Sequence, residues 1–151
     1  MATWAAFEAA APELAAEGRR LLYAWGDGEA LLATVRDDEL PRIHPINLAI
    51  LDERLYAFIH RSPKQRDLER DGRFAIHTHQ DPARPNEFSA RGRARLVGDG
   101  AERSSVAGRW YFDVDETYRL FELSIGAALL GVRTADEWPP RYSRWSDPET
   151  G

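Results

Sequence analysis

The feature that most constrains this chain is a close succession of short β-favouring runs, each ended by a tight charged turn. Ala30–Arg36 stops at Asp37-Asp38-Glu39, Pro41–Leu51 stops at Asp52-Glu53, and Arg54–His60 returns with Tyr56, Phe58 and Ile59. Segments this short, joined by turns this tight, can bury an apolar face only by pairing with one another as an antiparallel meander. In the middle run Arg42, His44, Ile46, Leu48 and Ile50 share one face, and Ile43, Pro45, Asn47, Ala49 and Leu51 share the other. Side chains alternate along a strand, so the first face begins polar and ends apolar. A strand that runs from a ligand site into a core has this pattern.

Helices flank the meander. Trp4, Phe7, Leu14, Leu21 and Leu22 recur at helical spacing over residues 3–24, and Pro12 divides that segment in two. Gly26-Asp27-Gly28 ends it. Over residues 62–71 the period changes again, with Ser62 as N-cap, Pro63 at the first helical position, Leu68 as anchor and Gly72 past the end. Further strands are predicted over Arg73–His79, Phe88–Val97 and Tyr118–Ile125, with a loop over Asp81–Asn86 and helix plus loop over residues 100–117. The tail from Trp138, rich in Pro, Ser and Asp, is expected to be irregular. The reading is a single domain over residues 1–151: an N-terminal helical segment (1–25), an antiparallel β-barrel with helices added, and a tail (138–151).

Composition narrows the chemistry. The 151 residues include no cysteine, which excludes disulfides, thiolate metal sites and a thiol nucleophile. Twenty basic against 25 acidic residues give a net charge of −5, the wrong sign for a general nucleic-acid or anionic-membrane binder. No apolar run reaches the roughly 18–20 residues of a membrane span, and the N-terminus lacks the basic start of a signal peptide. A cytoplasmic location is the expectation. Gly-x-Ser-x-Gly, Walker and Gly-x-Gly-x-x-Gly patterns are all missing.

Nineteen of the basic residues are arginine, and Lys64 is the one lysine. It falls in the first turn of the 62–71 helix, where it opposes the helix dipole unless an anion is bound. Ser62-Pro63-Lys64 together with Arg42 therefore reads either as a phosphate site or as a capped helix with a surface lysine. His77 and His79 share a strand face but lack a third ligand, so they are read as face or interface residues and not as a metal site. Arg91, Arg93 and Arg95 on one strand face suggest a dimer interface or a solvated face. Trp110, Tyr111 and Phe112 are read as packing residues, and Trp145 as an aromatic that could line a substrate pocket.

Leu-Ala-Thr-Val-Arg (32–36), Pro-Arg-Ile-His-Pro (41–45), Ser-Pro-Lys-Gln-Arg-Asp-Leu (62–68) and Asp-Gly-Arg-Phe-Ala-Ile-His (71–77) occur in this order. Phe-Ser-Ala-Arg-Gly-Arg-Ala (88–94) and Leu-Phe-Glu-Leu-Ser-Ile (120–125) follow. Together they resemble the pyridoxamine 5′-phosphate oxidase-related FMN-binding split-barrel family. The resemblance implies a mainly β, α+β fold: a six-stranded antiparallel split β-barrel that forms a homodimer with FMN between the subunits. It implies Arg42 and Lys64 on the FMN phosphate, with Ser62 as a hydroxyl donor. Ile43, His44 and Pro45 would run beside the ring system, and Ala57 and Phe58 would lie at the ribityl and phosphate end. Glu87 falls where the oxidases usually carry a glutamine that reaches the cofactor, and a carboxylate there accepts but cannot donate. The Arg-Leu-x-Pro ending of true pyridoxamine phosphate oxidases is absent. The implied function is a flavin-dependent oxidoreductase acting on a small organic substrate other than the B6 vitamers. The alternatives are a deazaflavin-dependent reductase on the same fold and a flavin- or haem-binding protein without turnover.

Overall fold

The structure is a computed structural model and describes residues 1–150. Two helices open the chain, α1 (Trp4–Ala10) and α2 (Pro12–Leu22). Thr3 caps the first by accepting from the Ala6 N–H at 3.2 Å. Pro12 separates the two because it supplies the first residue of α2, where its missing N–H costs nothing.

Eight strands follow in one antiparallel sheet: β1 (Glu29–Val35), β2 (Pro41–Asn47), β3 (Ala49–Leu51), β4 (Arg54–His60), β5 (Arg73–His77), β6 (Glu87–Val97), β7 (Tyr118–Val132) and β8 (Arg141–Ser146). The lateral order is β2-β1-β5-β6-β7-β4-β3, with β8 added to β7. The remaining helices are α3 (Pro63–Arg70) and α4 (Ala101–Ala107).

Six strands were expected, and the count differs for two reasons. The predicted run Pro41–Leu51 is two strands, because the chain changes partner at Leu48. Residues 41–47 pair with β1, and residues 49–51 pair with β4. The second addition comes from the tail, where Arg141–Ser146 pairs with the second half of β7. β7 runs on to Val132, seven residues past its predicted end at Ile125, because β6 pairs with it as far as Gly131.

The partner switch gives the sheet its form. The strands that end its main path, β2 and β3, are consecutive in the chain and joined through the single residue Leu48. The curled sheet is therefore closed by a covalent link and not by a ladder. β3 pairs with β4 only as far as Tyr56, and β2 pairs only with β1. Between β2 and the far half of β4 a split remains, narrow at Leu48 and wider toward His44 and His60.

A switch of partner leaves backbone polar groups without a ladder, and buried groups of this kind must be paired. Two tyrosines supply the bonds. The Tyr111 hydroxyl donates to the Leu48 carbonyl at 2.7 Å and accepts from the Gly28 N–H at 3.0 Å. The Tyr23 hydroxyl accepts from the Ile50 N–H at 2.8 Å. Gly28 is required here, since a Cβ would lie 2.0 Å from the Leu48 carbonyl oxygen.

The apolar interior divides accordingly. Leu32, Leu55, Ala57, Ile59, Ile76, Phe88, Phe121 and Leu123 fill the inside of the sheet, with Trp4, Phe7 and Leu22 of the N-terminal helices packed at one end. Tyr56, Phe58, Val97, Val106, Trp110 and Leu120 form a smaller cluster outside β4 and β7, beneath α4. Tyr56 donates to Glu102 of α4 at 2.7 Å. Arg54 and Arg95 flank the buried Glu122 of β7. These bonds hold α4 and the chain after it, which carries Phe112, against the sheet.

Candidate functional site

The split holds a cleft of about 350 Å³, within the range of small-molecule sites. One wall is Glu29 of β1 with Pro45, Ile46 and Asn47 of β2. The other is Phe58, Ile59 and His60 of β4 with Tyr118, and Phe112 overhangs it. Lys64 reaches the cleft from the first turn of α3.

The helix that delivers Lys64 forms as its sequence predicts. Ser62 is the N-cap, its Oγ accepting from the Gln65 N–H at 3.3 Å, and Pro63 follows. Gly72 lies just past the end with φ +78°, a conformation that glycine adopts without strain. Gln65 fixes the helix to the neighbouring strands by donating to the carbonyls of Ile59 and Thr117 at 2.7 and 3.0 Å. Lys64 itself makes no hydrogen bond or ion pair among the described residues. Burial pulls its pKa below the ordinary lysine value.

The residues predicted to share one site fall into distinct environments. Pro45, Phe58 and Lys64 line the cleft together. Arg42 and His44 lie on the opposite face of β2. Arg42 donates through Nε to Asp67 Oδ2 at 2.8 Å, and Thr34 Oγ1 donates to the same oxygen at 2.8 Å. Arg70 completes the set at 3.3 Å from Asp67 Oδ1. Asp67 is 3% exposed. Burial pushes its carboxyl upward, but the bonds from Arg42, Thr34 and Arg70 together hold it below the usual carboxylate range. Arg42 is thus the partner of a buried carboxylate, with only its outer nitrogens left over.

His44 stands beside this network and near Lys64. Burial, then the Lys64 and Arg42 cations, lower its pKa, with Asp67 opposing them. Ile43 is exposed on the outer edge of β2. Ala57 is fully buried inside the sheet, so only its backbone could meet a ligand. The Ser62 hydroxyl donates to the His60 carbonyl at 2.7 Å, which commits its proton to the turn. Glu87 starts β6, three strand positions from β2, and faces His77 Nε2 at 3.3 Å. The other His77 ring nitrogen lies 2.6 Å from the Thr78 carbonyl. Among the described residues no three His, Cys, Asp or Glu side chains converge as a metal site would require. Trp145 packs its ring 5.1 Å from Phe7, partly buried against the core, and does not line the cleft.

Sequence reasoning missed Glu29, Asn47, Phe112 and Tyr118 as cleft residues. Each comes from a different part of the chain, and the partner switch at Leu48 that gathers them leaves no local signal. Phe112 was read as packing, yet it is exposed over the cleft.

A second concavity, about 500 Å³, lies on the outer face of β1, β5, β6 and β7. Ala33, Ala75, Gly92, Gly126 and Ala127 make it flat, and Arg91 projects there with no ion-pair partner among the described residues. It is larger than the cleft, and Arg93 beside it donates to the Asp71 carbonyl at 3.2 Å. Arg95, on the same strand, is paired with Glu102 and Glu122.

Compared with protein-family models and with curated proteins, the sequence finds no match. Solved structures do match. HutZ, the haem storage protein of Vibrio cholerae, superposes with a TM-score of 0.58 at 15% identity, over 90% of this chain and 93% of that one. General Stress Protein 26 of Bacillus anthracis gives 0.59 at 19% identity, over 85% and 97%. PhzG of Burkholderia lata, solved with tetrahydrophenazine-1-carboxylic acid, gives 0.59 at 14% identity, over 78% and 75%. These neighbours share the split-barrel fold of the pyridoxamine phosphate oxidase-like proteins. At such identities the likeness carries the fold alone: a mixed α+β chain with a mostly antiparallel sheet and split-barrel neighbours. No helix among the described residues is long and apolar enough to cross a membrane.

Proposed function

We propose that the split binds the phosphate of FMN, with Lys64 as its cationic contact, and that the protein is a flavin-dependent oxidoreductase on a small organic substrate. The single observation that carries this reading is Lys64. The chain's one lysine stands half-buried in a cleft, without a counter-ion among the described residues, at the start of a capped helix. An ammonium held that way gains from an anion that brings its own charge. The walls suit a planar ring, since Phe58, Phe112, Tyr118 and Pro45 present apolar surface. In such an enzyme the cofactor carries the redox chemistry and the protein binds and orients it.

The same reading makes the flat face of β1, β5, β6 and β7 a homodimer interface. Small side chains let two sheets approach closely, and Arg91 would find its counter-charge on the partner. Light scattering on the wild type and on Arg91→Glu tests this; a dimer that becomes a monomer is expected, and a monomeric wild type rejects it.

A second reading, haem in the same cleft without turnover, is favoured by His60, which faces the cleft beside Lys64, and by the haem-storing neighbour HutZ. A visible spectrum decides. The protein is incubated with FMN, deazaflavin coenzyme or haemin and freed of excess. Two flavin bands, one flavin per chain, and bleaching by NADH or NADPH are expected. Retention of deazaflavin alone changes the enzyme class, a Soret band alone selects haem, and flavin that no donor reduces makes the protein a binder.

A further inference from the structure

The cleft is polar at both ends, and the two ends differ in kind. At the mouth, Lys64 and His60 offer hydrogen-bond donors. At the apex, Glu29 and Asn47 face each other as a cross-strand pair of β1 and β2. Asn47 spends one amide N–H on the Gly28 carbonyl at 3.2 Å, which leaves its Oδ1 as an acceptor beside Glu29. Glu29 has no hydrogen bond or ion pair among the described residues. The apex is therefore rich in acceptors, the Glu29 carboxylate and Asn47 Oδ1, against one spare Asn47 N–H. The apex is also rigid, because Tyr111 pins Gly28 and Leu48 on either side of it. Pro45 and Ile46 of β2 and Phe58 of β4 line the cleft along with the two ends.

We infer that Glu29, with Asn47 Oδ1, receives a hydroxyl or N–H donor from the body of the ligand whose anionic group Lys64 holds. Glu29 is then a specificity-determining residue, and the site takes an aromatic ligand that is an anion at one end and a donor at the other. This rests on the flavin phosphate reading above and adds to it which chemical group the apex selects. FMN qualifies through its ribityl hydroxyls and its imide N–H. A planar anion without a donor at its far end does not.

The alternative for Glu29 is a bystander carboxylate, and it predicts the opposite sign. A bystander repels a phosphate, so its removal tightens FMN and leaves riboflavin unchanged. An acceptor that a donor satisfies makes its removal weaken both ligands equally, because they share everything except the phosphate. Fluorescence titration of FMN and of riboflavin onto wild type, Glu29→Leu, Glu29→Gln and Lys64→Gln separates these cases, with circular dichroism confirming that each variant is folded. Glu29→Leu is expected to weaken FMN and riboflavin alike, about tenfold or more, the value of a hydrogen bond to a charged acceptor. Glu29→Gln keeps an acceptor oxygen and should recover part of that loss. Lys64→Gln should abolish the preference for FMN over riboflavin and leave riboflavin unchanged. If Glu29→Leu binds FMN as well as wild type or better, the inference about the apex is overturned while the Lys64 reading stands. If wild type binds neither flavin, or Lys64→Gln keeps the FMN preference, the reading of the cleft falls and takes the apex with it.

Discussion

The two faces of β2 meet cations of similar promise and opposite condition, Arg42 of β2 itself and Lys64 of α3. On one face Arg42 is bound to a buried carboxylate that also holds Thr34 and Arg70. On the other, Lys64 stands in a cleft with no ion-pair partner among the described residues. Both belong to one sequence neighbourhood, since Asp67 and Lys64 lie one helical turn apart on α3. One stretch of helix thus holds a paired position at Asp67, its closed flank, and an unpaired one at Lys64, its open flank. A charge whose partner is built in stabilises the fold, whereas a charge left unpartnered in a concave site is available to a ligand.

The largest effect should come from the open flank. Lys64→Glu is expected to weaken FMN binding about 100-fold or more while shifting unfolding free energy by less than about 0.5 kcal/mol. Fluorescence titration and urea denaturation on the same samples measure both. A matching loss of stability would erase the distinction between the flanks.

The closed flank should respond in the other measurement. Asp67→Asn is expected to cost about 2 kcal/mol of stability, because Arg42 and Thr34 lose a charged acceptor in a buried position. It should also change the acid limb. Asp67 titrates lower in the folded state than in the unfolded chain. Its contribution is therefore present above the unfolded carboxyl pKa of about 3.9 and is lost as pH falls through the lower folded value. Wild-type stability should drop across that window, and the Asp67→Asn profile should be flatter there.

Ser62→Ala sharpens the comparison at the junction of the two flanks. Loss of the cap should cost about 1 kcal/mol, with FMN affinity within about twofold of wild type. A tenfold affinity loss would return the hydroxyl to the ligand. The smallest effect belongs to His44. An anion docked beside Lys64 offsets the two cations that depress its pKa, so FMN should move the His44 titration upward in imidazole NMR spectra. An unchanged curve would place the phosphate elsewhere.

How much of this was legible in the sequence follows the range of the interactions. α3 could be read almost to the residue, because Ser62, Pro63 and Gly72 act on their own backbone. The division of the N-terminal helix at Pro12 was readable for the same reason. The break at Leu48 was not, since residues 41–51 alternate as one strand and only the choice of partner divides them. Lys64 stood out by its rarity, and the structure gives it the cleft. The engagement of Arg42 was hidden because Asp67 lies 25 residues away, and a pairing at that distance leaves no local pattern. β8 was hidden for a related reason: its exposed residues carry no apolar alternation, and β7 supplies the template.

The prolines of β2 have one more consequence. An open sheet edge invites a foreign strand, and a cell full of extended chains offers many. Along β2, Pro41 and Pro45 carry no N–H, and prolines are tolerated on edge strands where that gap faces outward. An incoming strand would meet an interrupted row of donors along this border. The molecule can thus keep a permanent opening without inviting aggregation through it.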